Sequence, residues 1–453
     1  MTTKKKLHST DKENTKETPS NTDQEHPINE AITCFLHASR DIKWSGRVFA
    51  PLAAEFMKKN FSDAKKQLTN GEFLIGNSDS VERVHGLKEI RNAIYKIKRL
   101  SYSQTPKIIL NSLFLSLFSA LDNYTGELLT SIYKKKPELF NKINKKIDLI
   151  DVLSASSIEG LKQSVLENEI EDFRRKSYIE QFEVLESTFG VPLKKFKRWP
   201  DFVECTQRRN LITHCGGIVS EQYIKICKEA DYPIDKIPAI GAKLECKLEY
   251  FSQTCELLIE VGLKLGQTLW RKVFPNELKE ADHHLTQTQY DALYSHNWER
   301  AIVFGEFATG LLKFSSELEQ RIFIINYCIA LKFSGNEKAV EEKLKEFDWS
   351  ATIDDFRLAE AVLQDRFQDA AKIMKQIGKE GKMVNEEGYH TWPLFHMFRE
   401  KPEFLENYES IYGYPFETEV KRVADKALIE APTDEVISNK QSVDGDSDES
   451  EIS

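Results

Sequence analysis

Arg209, Asn210 and His214, within RRNLITHCGG (residues 208–217), are the residues of this 453-residue chain whose types and spacing best suit chemistry. A guanidinium binds and neutralises phosphate through a rigid fork of donors, and an imidazole moves protons near neutral pH. Arg209 is the only arginine five residues before any of the ten histidines. On a helix Asn210 and His214 are i,i+4 neighbours, which predicts that the Asn amide reaches and orients the imidazole. Arg209 falls about 140° from His214 around the axis. One helix therefore does not aim both head groups at one phosphate, whereas a two-fold dimer brings two of each to a shared cleft. Gly216 and Gly217 predict a helix end just after His214, where the carbonyl end of the dipole favours imidazolium. Cys215 is not a nucleophile for His214, because adjacent helical residues point about 100° apart.

The elements that position these residues read as helices throughout, and the fold class expected is all-α. Residues 29–60 and 80–100 are amphipathic, the second through Val81, Val84, Leu87, Ile90, Ile94 and Ile97, with Asn70-Gly71 and Gly76-Asn77 marking the break between them. Ile108, Ile109, Leu113, Leu115, Leu117, Phe118, Leu121 and Leu128 make a helix apolar nearly all round, as at the centre of a bundle, with Asp122 as the exception. Residues 157–189 read as one helical stretch closed by Gly190 and Pro192. A basic loop, Lys194, Lys195, Lys197 and Arg198, then leads to Pro200 and Asp201, which suit a helix start.

After Pro275 the pattern changes to helix pairs whose second helices carry a small residue, Ala301, Ala339 and Ala370, separated by 38 and 31 residues. These separations lie near the ~34-residue period of tetratricopeptide repeats, and the region reads as a TPR-like hairpin array. The expected organisation is a disordered tail at 1–28, a helical domain at 29–275, a TPR-like domain at 276–430 and an acidic disordered tail at 431–453.

The net charge of −9 argues against a protein that coats nucleic acid nonspecifically but leaves local basic patches open. Seven scattered cysteines without a CxxC pair read as reduced, mostly buried thiols. No stretch approaches the ~18 apolar residues of a membrane span and no signal sequence is evident, so a cytoplasmic location is expected. His283-His284 finds no second ligand pair at metal spacing and reads as a loop pair; no metal or cofactor is expected.

The segment RRNLITHCGGIVSEQYI, preceded by the helix LFLSLFSALDNYTGELL, resembles the HEPN superfamily of α-helical nucleases, especially those of prokaryotic toxin and antiphage systems. The resemblance covers roughly residues 80–275, and its specific part is R-N-x-x-x-H. It implies a metal-independent endoribonuclease in which the ribose 2′-hydroxyl attacks its own phosphate, Arg209 binds that phosphate, His214 is the acid-base residue and Asn210 is a polar helper. Asp122 is a candidate partner for Arg209. Arg208, Lys197 and Arg198 are candidate RNA contacts. Longer members carry TPR-like tails, which implies that the second half of the homodimer's chain is a sensor or docking module for a protein partner or trigger. The alternative is a non-catalytic scaffold in which both halves bind partners.

Overall fold

The computed structural model describes residues 26–76, 79–143 and 146–430. The two tails expected to be disordered lie almost wholly outside these residues, but Pro27 and Ile28, placed in the first tail, belong to a helix that buries Ile28. The all-α expectation holds: among the described residues there is no strand, only two isolated bridges. No helix there is long and apolar enough to cross a membrane. The chain divides into two compact units, 1–273 and 274–453.

In the first unit, α1 (Pro27–Ile75) and α2 (Ser80–Ser101) form a long hairpin; α1 alone has 49 residues, about 74 Å of helix. Asn70-Gly71 does not break α1. A Cβ on Gly86 of α2 would sit 2.7 Å from the Gly71 carbonyl oxygen, so these glycines let the two helices cross closely, and the turn comes only after Ile75. The amphipathic face expected of α2 is not a core face. Val81 is 74% exposed and Val84 67%, with Leu87 and Ile94 also exposed, while Gly86 and Ala93 are buried.

The core lies where α1 meets α3 (Thr105–Lys135) and α9 (Leu248–Val273). Phe35 stacks on Tyr124 at 4.7 Å between ring centroids, and the Tyr124 hydroxyl donates to the Gly262 carbonyl at 2.7 Å. Between α3 and α9 run α4 (Leu149–Ser154), α5 (Ile158–Arg174), α6 (Tyr178–Phe189), α7 (Trp199–His214) and α8 (Glu221–Glu229). The expected single stretch over 157–189 is two helices. Ser177 and Glu180 form a reciprocal capping box that starts α6 afresh, and Gly190, in the left-handed conformation, ends it.

The second unit contains three helical hairpins: α10 (Leu278–Tyr294) with α11 (Trp298–Thr309), α12 (Glu317–Phe333) with α13 (Glu337–Leu344), and α14 (Asp354–Leu363) with α15 (Phe367–Ile377). Their turns are alike. Each has one left-handed residue, His296, Gly335 or Asp365. The next N–H closes back on the first helix at 2.9 Å, Asn297 to Ala292, Asn336 to Leu331 and Arg366 to Ala361. Ala301 and Ala370 are fully buried in the second helices, whereas Ala339 is half-buried. His283 and His284 lie inside α10 rather than in a loop, the first exposed and the second buried. The unit closes with α16 (Glu386–Thr391), α17 (Pro402–Tyr412) and α18 (Phe416–Glu430).

Candidate active site at the end of α7

The first half of α7 is fixed from inside. Pro200 lies in its first turn, and Phe202 packs against Phe182 and Trp199 at 5.2 and 5.4 Å. Glu204, 2% exposed, is saturated with donors: Arg208 Nε and Nη2 both at 2.8 Å, and the Tyr223 and Tyr250 hydroxyls both at 2.7 Å. The Arg208 guanidinium also lies over the Tyr250 ring at 3.7 Å. This buried charge pair ties α7 to α8 and α9, and its hydrogen bonds offset the desolvation of both ions. Burial, reinforced by Glu204, pushes the Tyr223 and Tyr250 hydroxyls well above the usual phenol range, so both remain donors to the carboxylate. Arg208 is therefore a structural cation. Nε and Nη2 of the arginine expected to contact RNA are held by Glu204, and Nη1 lies 3.5 Å from the Glu245 carbonyl oxygen.

The second half opens to solvent. Leu211 is buried with Val219, Tyr223 and Cys227. His214 is the last helical residue and is exposed, as are Thr213, Cys215 and Gly216. The helix stops where the two glycines predict: Gly216 and Gly217 have φ of +57° and +83°, and the Cys215 and Gly217 N–H groups both donate to the Leu211 carbonyl, at 2.8 and 2.9 Å. Gly217 also admits no side chain, since a Cβ would lie 2.8 Å from the Leu244 carbonyl oxygen.

Asn210 does not serve the imidazole. Its Oδ1 accepts from Arg209 Nη1 at 3.1 Å, so the Asn orients the guanidinium instead. Arg209 acts inward, on Asp122 of α3 and Tyr178 of α6. Burial raises the Asp122 pKa above the usual carboxylate value, against the opposing pull of Tyr178, Arg209 and Arg174. The Tyr178 hydroxyl faces the Asp122 carboxylate, yet Asp122 Oδ1 and Tyr178 Oη each lack a hydrogen-bond partner of standard geometry. The structure thus brings Arg209, Asn210 and Asp122 together and leaves His214 apart, about 7.5 Å further along the axis.

Lys197 and Arg198 are not brought to this end. They precede the first turn of α7, which puts them about 24 Å of helix from His214. Lys197 is exposed there, and Arg198 pairs with Glu260 at 3.3 Å and Asp201 at 3.6 Å. A lysine-bearing segment pairs with the glycine turn that follows His214, from residues that sequence reading missed. The Leu244 N–H donates to the Gly217 carbonyl at 2.8 Å and the Val219 N–H to the Ala242 carbonyl at 2.9 Å, which pairs residues 242–244 with 217–219, while the Glu245 carbonyl lies 3.5 Å from Arg208 Nη1. Lys107 of α3 joins them through a 2.9 Å contact with Glu245. That carboxyl is held below its usual pKa by Lys107 first, then by Lys247 and Lys243. Lys107, Lys243 and Lys247 are remote from His214 in the chain and carry no periodic signal, so only the fold assembles them.

Among the described residues no cluster of three or more His, Cys, Asp or Glu side chains is arranged to hold a metal ion. Of the seven cysteines, Cys34 and Cys215 are exposed and the other five are buried. Burial pushes the Cys227 and Cys246 thiols up to about 12. No family model, no curated protein and no solved structure matches the chain.

Proposed function

We propose that this chain is a metal-independent endoribonuclease of the HEPN type that acts as a homodimer. The observation that carries the reading is the exposed position of His214 at the carbonyl end of α7, with the exposed Lys243 on the segment that pairs with the glycine turn after it. An exposed imidazole there meets an RNA strand without rearrangement, and a cation on the neighbouring segment attracts the phosphodiester backbone. His214 moves protons to and from the attacking 2′-hydroxyl and the leaving 5′-oxygen. Arg209, oriented by Asn210, neutralises the phosphate. Because Arg209 and His214 point apart on one helix, the complete site combines residues from two copies of α7 across a two-fold axis. The second unit serves as the sensor or docking module.

The test is cleavage of structured RNA by purified protein in EDTA, with analysis of product ends. Wild type is expected to leave 2′,3′-cyclic phosphate or its hydrolysis product. Arg209→Ala and His214→Ala should each lower the rate by about 10²-fold or more while leaving the helical content unchanged. Mixing these two variants should restore part of the activity if the site is composite. Wild-type cleavage by His214→Ala, or activity that needs Mg²⁺, overturns the reading.

A further inference from the structure

The second unit holds a cavity of about 920 Å³ that the nuclease reading does not use. Its size is that of a ligand site. Its walls come from the end of α10, the segment 379–391, and α17 with α18. Four carboxylates line it, Glu380, Glu386, Glu387 and Glu419, against two permanent cations, Lys379 and Arg422. Arg422 is already spent on Glu419, in a two-point pair at 2.6 and 2.8 Å. Three tyrosines, Tyr294, Tyr412 and Tyr414, add ring surface.

One acceptor in this cavity is held rigid. Glu386 Oε1 accepts from the Tyr408 hydroxyl at 2.5 Å and from the Tyr414 hydroxyl at 2.6 Å, which fixes the carboxylate and leaves Oε2. Since Tyr408 donates to Glu386, the 2.8 Å contact between its oxygen and His390 Nε2 requires the ring to donate there. His390 is stacked flat on Phe416 at 4.2 Å. Burial lowers its pKa below the usual value, against the pull of Glu386 and Glu419. Near neutral pH it therefore stays uncharged and does not compete with a cation for Glu386.

We propose that this cavity binds a lysine- or arginine-bearing peptide segment of a partner protein, with one cationic head group on Glu386 Oε2 and its stem against the tyrosine rings. Carboxylates supply the charge-assisted acceptors and the rings supply cation–π attraction. The size favours a peptide over a small polyamine, since the void exceeds one side chain several times over. Exposed Glu380, Glu387 and Lys379 at the rim leave an opening for a chain to enter.

The experiment titrates fluorescein-labelled hexalysine into full-length protein, with hexaglutamate as control and spermidine as competitor. The His214→Ala protein serves as host, so the outcome is independent of nuclease activity. Saturable hexalysine binding is expected, weakened about tenfold or more by Glu386→Gln and several-fold by the rim pair Glu380→Gln/Glu387→Gln, which disturbs no buried contact. Glu417→Gln, on the exposed start of α18 outside the lining, should leave binding unchanged. Absence of saturable binding, equal binding by the Glu386→Gln and rim variants, or preference for hexaglutamate overturns the proposal. Spermidine binding as tightly as hexalysine overturns its peptide part.

Discussion

The two halves of α7 are built on opposite plans. From Trp199 to Arg208 the helix is locked by an aromatic cluster and by Glu204, whose oxygens receive four donor contacts inside the protein. From Arg209 to Gly217 the polar side chains are partly or fully exposed, and the last helical side chain, His214, faces solvent. Charge in the first half is tied to a buried carboxylate, and in the second half His214 stands exposed to solvent. Two adjacent arginines fall on either side of this divide: Arg208 belongs to the carboxylate below it, while Arg209 is shared between Asn210 and the Asp122 region.

The contrast is broken most severely at Glu204. Glu204→Ala strands Arg208 and two tyrosine hydroxyls in a buried site, and removing one partner of a buried ion pair costs about 3–5 kcal/mol. Urea unfolding should show a fall of that size, whereas His214→Ala should leave the midpoint unchanged. Equal midpoints for Glu204→Ala and wild type would mean that the inner half is not held by this network. Gly217→Ala comes next. The left-handed φ and the approach to the Leu244 carbonyl oxygen predict a loss of about 1–3 kcal/mol, with the glycine turn and residues 242–244 displaced together. If the lysine-bearing segment serves RNA, RNA affinity falls in the same variant, measured by filter binding at fixed salt.

The same divide explains what the sequence discloses. The stop after His214 is legible because paired glycines at a helix end have a local cause, and the capping pattern of Ser177 with Glu180 was there to be read although residues 157–189 looked continuous. Glu204 was not legible: a lone acid four residues before an arginine on a helix looks like a surface pair, and only burial by α8 and α9 makes it a core group. The apolar stripe of α2 shows the opposite limit. Periodicity reveals that a face exists and not what covers it, so Val81, Val84, Leu87 and Ile94 make an amphipathic face in the sequence and stand exposed in the fold. Asn70-Gly71 misled for a related reason, since the glycine that marks a turn locally is used here for a helix crossing.

Asp122 gives the smallest effect and the sharpest test of where the divide runs, because Arg209 reaches inward to it across the boundary. Burial is the largest influence on this carboxyl and raises its pKa; Tyr178, Arg209 and Arg174 only partly oppose that. The folded state therefore holds the proton more tightly than the unfolded chain. The resulting stabilisation is fully present below the unfolded value of about 3.9 and is lost as pH rises through the higher folded value. Asp122→Asn removes the titration but keeps the shape. Its stability relative to wild type should rise as pH increases from the acid side of the ordinary Asp range, then level off once the folded carboxyl is ionised. Unfolding midpoints of both proteins across that range measure the difference. A difference that moves the other way would show that Arg209 and Arg174 outweigh burial at Asp122. Arg209 would then be tied inward as firmly as Arg208 is to Glu204, and the boundary between the locked and the exposed half of α7 would move outward past it.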